Sequence, residues 1–384
     1  MKTRAAVLSI SFTVLIYMVI SVAVSGMTAS FPAVPESMLL LVLTLPNLTC
    51  IPAILATPLL LRRFSQKAVT LGSLALTLAC GVCCLLLSAH LWVLLTCAVL
   101  MGFAYGISST MFPLLVNTHF TGDERVTVMG YCTGMLQLGR LVTALIGGFL
   151  AERAWNHVYF TFIFILIALL IAWRWLPGQA SGAGGAGQHS DTASLTCVRV
   201  WLLGGLSILF AIVYFLSATH ASLYIEGGGL GTPAMTGAVS SMTFALSAAV
   251  SSLYGRLPRR VRTYVPVIVF LLMGTGYVLA GAVVSLPSIF LALAVSAASI
   301  ALYNPWLMLR ITVAAGREAA PVATAMVLSL INVGYFLSPY VNKALARLAG
   351  QEPARIFLTT GALSLALGLL LLLRALLPLP QGRQ

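Results

Sequence analysis

The chain has 384 residues, of which 60% are hydrophobic and only 8% are Asp, Glu, Lys or Arg. Soluble domains carry about 25% charged residues, so this chain has too little polar surface to cover a water-soluble body of its size. The composition excludes a cytosolic enzyme, a secreted disulfide-rich protein and a nucleic-acid-binding domain, although the net charge is +13. It predicts an all-α polytopic membrane protein.

Apolar segments long enough to cross a bilayer occur twelve times along the chain. A helix needs about 20 residues to span about 30 Å of hydrocarbon. The twelve predicted spans cover roughly residues 6–30, 38–61, 68–88, 91–115, 126–150, 158–176, 200–224, 233–254, 264–285, 288–309, 321–342 and 355–377. The first apolar run is too long for a signal peptide, so we expect it to be retained as a membrane helix.

A stretch rich in Gly and Ser at residues 177–199 interrupts the apolar pattern between spans six and seven. This composition is typical of a flexible linker, which would separate a bundle of six helices at 1–176 from a second at 200–384. No Walker-type phosphate loop occurs in the chain, so we expect no nucleotide and no cofactor. The cluster of Cys80, Cys83 and Cys84 has no His or carboxylate in its own helix, and we expect no metal there.

The distribution of basic residues predicts the orientation of the chain. If the N-terminus lies inside, sixteen of the 21 Lys and Arg residues fall on the inner side and four on the outer side, with Arg140 inside a span. Cytoplasmic loops carry the excess of positive charge in membrane proteins. Both termini are therefore predicted to be cytoplasmic. The short loops favour a bacterial inner membrane.

The two halves of the sequence resemble each other at an offset of about 195 residues. The corresponding pairs are Arg63 with Arg256, Lys67 with Arg260, Asp123 with Glu318, Gln137 with Asn332, and Arg140 with Tyr335. The first two pairs lie in the loop after the second span of each half. The last two lie midway along the fifth span, and Asp123 and Glu318 are expected in the loop before it.

Twelve spans in two repeated halves, joined by a short central linker, resemble the major facilitator superfamily over nearly the whole chain. The resemblance implies two pseudo-symmetric six-helix bundles that alternate access to one central site. The family's loop signature is only partly kept in residues 58–67, where its Asp and both of its Gly residues are replaced. The signatures of drug:proton exporters in spans four and five are also incomplete, with Ala98 where those exporters carry Arg.

Arg140 is the most informative residue, because it is predicted close to the bilayer midplane. An Arg there costs about 2.5–3.5 kcal/mol on insertion scales, so it usually faces a cavity or a transport pathway. Gln137 lies one turn earlier on the same face. All eight carboxylates are expected in loops or at span ends, and a guanidinium without an acidic partner suits an anionic substrate. The alternative is a structural Arg that bonds Tyr hydroxyls and helix carbonyls.

Two titratable residues near the end of span seven are candidates for proton coupling. His220 lies inside the span, and the usual pKa of a histidine is near 6.5. Glu226 follows in the adjacent loop. The alternative for His220 is a neutral imidazole that bonds between helices. Without these carriers, uniport or anion exchange is expected.

Further candidates follow from the resemblance. Two groups of polar residues complete the predicted substrate site. The spans that surround the family's central site contribute Tyr17, Tyr105, Tyr303 and Asn304. The positions that mirror Gln137 and Arg140 in the second half are Asn332 and Tyr335. The family's ion-pair gate on the cytoplasmic side would use Arg63, Lys67, Asp123, Arg256, Arg260 and Glu318. The alternative for these basic residues is ordinary positive-inside charge.

The sequence thus predicts a secondary transporter, functional as a monomer in the lipid bilayer, for a small organic anion bound by Arg140. The alternative is a proton-coupled exporter of amphipathic drugs or lipids. A membrane-embedded enzyme would need paired carboxylates or a nucleophile with its base, and the loops offer only Asp123 and Glu124. A receptor on a transporter fold would bind a ligand without any flux.

Overall fold

The architecture is that of a computed structural model, which describes residues 2–177, 198–254, 257–347 and 352–376. Most of the predicted linker at 177–199 lies outside these ranges, and so does Arg256. The described residues form helices and no strands.

The helices are numbered in chain order. They are α1 (Lys2–Thr13), α2 (Val24–Ser30), α3 (Glu36–Leu39), α4 (Leu41–Arg63), α5 (Gln66–Leu86), α6 (Leu91–His119), α7 (Gly122–Ala151), α8 (Ile163–Trp175), α9 (Val198–Ile225), α10 (Pro233–Leu253), α11 (Arg259–Thr263), α12 (Val265–Ala282), α13 (Leu286–Ala346) and α14 (Pro353–Leu376). Two 3₁₀ segments, Ile16–Ala23 and Trp155–Phe162, belong to the first and sixth spans.

Twelve helical segments in the described ranges are long and apolar enough to cross a membrane, which confirms the predicted number. Their exposed surfaces carry large apolar side chains, such as Leu59, Trp92 and Leu370 at 59%, 73% and 62% exposure. A soluble monomer rarely exposes apolar patches on this scale. The exposed faces are therefore suited to lipid.

Two predicted loop positions are helical. Asp123 lies in the first turn of α7, where a carboxylate is favoured by the positive end of the helix dipole. Glu318 lies within α13, whose 61 residues contain both the tenth span, Leu286–Ala315, and the eleventh, Val322–Leu345. The prediction of a loop at both positions was wrong because charge alone does not end a helix. The side chain of Glu318 lies outside the described residues.

The first span changes its helical form near its middle. The α-helix ends at Thr13, and a 3₁₀ segment begins at Ile16, with the Met18 amide donating to the Leu15 carbonyl at 3.1 Å. Gly139 of α7 lies against the Phe12 backbone, where an added Cβ would collide with the Phe12 carbonyl oxygen. A side chain at 139 would push α7 away from this segment. Short 3₁₀ stretches inside helices often mark a functional hinge or a sequence under strain.

Small residues bring α4 and α6 close together. A Cβ at Gly102 would lie 2.6 Å from the Pro46 carbonyl oxygen, and one at Gly106 would lie 2.5 Å from the Cys50 carbonyl oxygen. The Thr49 hydroxyl donates to the Val99 carbonyl at 3.0 Å across the same contact. Small residues four apart allow membrane helices to approach in this way.

The chain forms two compact units that differ from the two sequence halves. Unit 1 takes residues from Met1–Asp191, Thr219–Ala245 and Tyr335–Leu337. Unit 2 takes residues from Thr192–Ala218, Leu246–Gly334 and Ser338–Gln384. Unit 1 thus contains the six N-terminal spans, the end of α9, and α10 as far as Ala245. The division into bundles at 1–176 and 200–384 remains a prediction from the repeat.

Unit 2 has its own polar network between helices. Asn342 of α13 is fully buried, and its amide nitrogen lies 3.3 Å from the Ile212 carbonyl and 3.0 Å from the Ser338 hydroxyl. The Thr360 hydroxyl of α14 donates to the Asn342 amide oxygen at 3.1 Å. Buried polar groups need such partners, and this network joins α9, α13 and α14.

Candidate functional site

Arg140 and Gln137 lie on one face of α7, as the helical period predicts. Arg140 Nη1 is 3.5 Å from Gln137 Oε1, and both side chains are half-buried. At that distance the hydrogen bond is weak. Gln137 therefore contacts one nitrogen of the guanidinium without satisfying the group.

The guanidinium has a buried donor that no described protein group accepts. Arg140 Nε is buried and has no hydrogen-bond acceptor among the described residues. No described carboxylate forms an ion pair with Arg140 either. Arg140 is therefore a cation in mid-span with a donor that has no acceptor among the described residues.

Phe244 of α10 covers one face of this guanidinium. Arg140 Cζ lies 4.1 Å from the centroid of the Phe244 ring, which is within the range of a cation–π interaction. Sequence reasoning missed Phe244, because a Phe in an apolar span carries no signal of its own. Only the packing of α10 on α7 identifies it.

Tyr17 and Tyr105 form an aromatic pair near the same cation. Their ring centroids are 5.2 Å apart, and the Tyr17 hydroxyl donates to Asn47 Oδ1 at 3.1 Å. Both phenols lie close enough to Arg140 to interact with its charge. A small cavity adjoins the pair, lined also by Thr13, Thr77, Met101 and Ser108. Asn47 was not predicted as a site residue.

A second polar cluster lies at the C-terminal end of α9. Glu226 Oε1 accepts hydrogen bonds from the hydroxyls of Ser222 and Thr236, each at 2.8 Å. The Ser222 oxygen accepts in turn from the Ser25 amide at 3.0 Å. Burial raises the pKa of Glu226 above its usual value, while the two hydroxyl donors lower it by a smaller amount. Glu226 thus links the first, seventh and eighth spans within unit 1.

His220, one turn before this cluster, is almost fully buried, with 1% exposure. Its Nδ1 lies 2.7 Å from the Thr219 hydroxyl, and its Nε2 lies 3.7 Å from Glu36 Oε1. The contact with Glu36 is an ion pair when the imidazole is protonated. Glu36 was expected only as a loop acid. Its pairing with His220 depends on tertiary contacts that the sequence pattern does not reveal.

The other predicted substrate residues are divided between the two units. Tyr335 shares unit 1 with Tyr17 and interacts with it electrostatically. Tyr303, in unit 2, is fully buried. Its hydroxyl lies 2.9 Å from the Ser207 hydroxyl, and its ring stacks on the Phe210 ring. Asn304 is exposed, and Asn332 donates to the Leu328 carbonyl at 2.9 Å.

The predicted cytoplasmic gate can be followed only in part. Arg63 and Asp123 are exposed and Lys67 is half-buried. No ion pair joins Arg63 or Lys67 to Asp123 within the described part of unit 1. Arg260 is exposed, while Arg256 and the side chain of Glu318 lie outside the description. The gate therefore stays a prediction.

The fold and the site define a class of protein. The described residues include twelve helical segments apolar enough to cross a membrane, some with polar side chains in mid-span, as in a multi-pass membrane protein. Residues 6–339 match the sequence model of the Major Facilitator Superfamily, so the chain belongs to this family. The resemblance inferred from the two repeated halves is confirmed. No curated protein sequence matches the chain significantly.

Solved structures with the same fold cover nearly the whole chain. A mutant of the nucleoside transporter NupG has a TM-score of 0.76 at 12% identity, covering 97% of this chain and 98% of that one. The POT family transporter PepTSo has a TM-score of 0.75 at 11% identity, covering 97% of each chain. A POT family transporter in complex with a thioalcohol-conjugated peptide has a TM-score of 0.72 at 11% identity, covering 96% of each. At these identities the likeness concerns the fold.

Proposed function

We propose that this protein transports a small organic anion, which binds Arg140 during an alternating-access cycle. The observation that carries the proposal is the buried Nε of Arg140, which has no acceptor among the described residues. An unsatisfied buried donor costs about 1–3 kcal/mol, and more when the group is charged. A carboxylate that accepts from Arg140 would remove this cost and neutralise the charge.

The chemistry of the guanidinium favours a carboxylate over a neutral substrate. Its planar donors match the two oxygens of a carboxylate, and such bidentate pairs are stronger than neutral hydrogen bonds. Gln137 contacts Nη1 and Nε has no described acceptor, so a ligand carboxylate would bind the edge formed by Nε and Nη2. Tyr17, Tyr105 and Tyr335 would complete the site in unit 1. Asn332, Tyr303 and Asn304, all in unit 2, stay candidates that come from the sequence alone.

A small metabolite is in keeping with the ligands of proteins that share the fold. The structural relatives include a nucleoside transporter and POT family transporters in complex with a conjugated peptide and with 5-aminolevulinic acid. Those ligands belong to the relatives. They support only the size class proposed for this chain, a small polar organic molecule.

Glu226 and His220 are our candidates for proton coupling. The pKa of Glu226 is raised by burial, so a proton binds more readily there than on an exposed carboxylate. His220 lies one to two turns earlier and contacts Glu36. Protonation of either group would change contacts that join α9 to the first span or to α3, which is what coupling to a transport cycle requires.

The experiment is uptake of radiolabelled benzoate, acetate and succinate into proteoliposomes that contain the purified protein. We expect Arg140→Gln to abolish anion flux. Arg140→Lys, which keeps the charge but loses the planar fork, should retain weak flux only. Equal anion flux in wild type and Arg140→Gln would refute the proposal. Retained efflux of amphipathic compounds by that variant would favour the alternative exporter.

The oligomeric state, the membrane and the energy source are also proposals. We propose that the protein works as a monomer in a bacterial inner membrane, with both termini in the cytoplasm. It would use ion or substrate gradients and no nucleotide. In one state of the cycle, ion pairs would close the cytoplasmic side. The candidates are Arg63, Lys67 and Asp123 in the first half and Arg256, Arg260 and Glu318 in the second.

A further inference from the structure

The packing of α10 on α7 begins with two glycines. A Cβ added to Gly148 would lie 2.8 Å from the Gly237 Cα, and one added to Gly237 would lie 2.5 Å from the Ala144 carbonyl oxygen. The Ser241 hydroxyl donates to the Leu141 carbonyl at 2.9 Å along the same seam. The two backbones are therefore nearly in contact, which only small residues permit.

This close approach fixes the place of the Phe244 ring. Gly237, Ser241 and Phe244 are spaced by four and three residues, so they lie on one face of α10. With the first two held against α7, the third reaches Arg140, and its ring centroid lies 4.1 Å from Cζ. The ring blocks one face of the guanidinium and restricts its rotation.

One edge of the guanidinium keeps a hydrogen-bond donor that no described protein group accepts. Nη1 contacts Gln137, and Nε is buried without an acceptor among the described residues. A carboxylate that bonds to Nε and Nη2 lies in the plane of the guanidinium. A planar body attached to that carboxylate adds no bulk above or below this plane, whereas a tetrahedral body does, on the side where the Phe244 ring lies 4.1 Å from Cζ.

The described surroundings of Arg140 are aromatic, and none of the described ion pairs involves it. Tyr17 and Tyr105 form a ring pair near Arg140. No described acidic or basic side chain forms an ion pair with it. A second carboxylate or a second phosphate charge would therefore remain unpaired in a low-dielectric setting, which is costly. One negative charge on a flat apolar body fits the site best.

We propose that Phe244 determines substrate specificity, so that the Arg140 site takes a monocarboxylate with a planar, apolar body. This inference rests on the proposed function, because it assigns the substrate class of the same site. Phe244 acts by holding the guanidinium plane and by offering a stacking surface. The carboxylate binds the Nε–Nη2 edge, and the ligand body lies toward Tyr17 and Tyr105.

The test is binding of radiolabelled benzoate to purified protein, with competition by acetate, succinate and inorganic phosphate. Wild type should bind benzoate about tenfold more tightly than each competitor. Phe244→Leu keeps an apolar side chain but loses the ring, and should weaken benzoate binding by about fivefold to thirtyfold. Phe244→Tyr should restore the preference. Met242→Leu, at an exposed position of the same helix, is the matched control and should resemble wild type.

The outcomes separate the inference from the function on which it rests. If Phe244→Leu keeps the wild-type ratio of benzoate to acetate affinity, or if wild type prefers succinate or phosphate, the specificity role is wrong. In either case the anion site stands, provided that Arg140→Gln still loses binding. If wild type binds none of these anions, both proposals fail.

Discussion

Replacing Gly148 by Ala tests whether the α7–α10 seam is packed as tightly as its geometry indicates. The added Cβ would lie 2.7 Å from the Pro233 carbonyl oxygen and 2.8 Å from the Gly237 Cα. Both are backbone atoms, so a helix must move to make room. Overpacking of this kind typically costs about 1–3 kcal/mol.

The chain offers a matched control on the same helix. A Cβ added to Gly134 of α7 would meet nothing within 4 Å. Ala is about 1 kcal/mol more favourable than Gly in a helix interior, and both variants gain this term. The free energy of unfolding should therefore be about 1–3 kcal/mol lower for Gly148→Ala than for Gly134→Ala. Gly134→Ala should be slightly more stable than wild type.

Unfolding in detergent, followed by circular dichroism for the three proteins, measures this difference. Benzoate binding provides a second readout, because a displaced α10 carries the Phe244 ring away from Arg140. We expect Gly148→Ala to lose both stability and binding relative to Gly134→Ala. Equal melting temperatures and equal binding for the two variants would refute the close packing of the seam and the argument built on it.

Two further variants test the polar networks. Glu226→Gln should remove a pH dependence of the free energy of unfolding. Burial raises the native pKa of Glu226, so the native state binds the proton more tightly than the unfolded state does. The contribution of Glu226 to stability therefore falls as pH rises from the usual pKa to the raised one. Melting curves of wild type and Glu226→Gln between roughly pH 4 and pH 8 should diverge, and parallel curves would contradict the raised pKa. Asn342→Leu should lower the free energy of unfolding by about 1–3 kcal/mol, because the buried Thr360 hydroxyl loses its acceptor, whereas the Ile212 carbonyl keeps the hydrogen bond from Ser338. The exposed Asn304→Leu is its control, and an equal loss in that variant would exclude the network as the cause.

The two polar clusters of unit 1 suggest two separate roles, ligand binding and proton coupling. Arg140 lies in mid-span with Phe244 and the tyrosine pair, and its Nε has no acceptor in the described part of the chain. Glu226 and His220 lie near the end of α9, where their contacts extend to Ser25 and Glu36. We expect mutations in the first cluster to change which ligand binds. Mutations in the second should change how transport depends on pH.

The sequence by itself determined the features that depend on local composition and period. The number of spans follows from apolar segments of sufficient length, and the contact of Gln137 with Arg140 follows from their spacing on one helix. The scarcity of charge also identified Arg140, because a cation at the centre of a membrane span is energetically costly and usually functional. These properties can be inferred without knowing which helices are neighbours.

The tertiary structure decided what surrounds those residues. Phe244 reaches Arg140 because Gly148 and Gly237 let two helices approach, and Glu36 reaches His220 across distant parts of the chain. Such contacts depend on the packing of whole helices, which no local pattern in one sequence specifies. In a membrane every span is apolar, so hydrophobicity does not determine which faces meet. Close packing and the pairing of buried polar groups decide it.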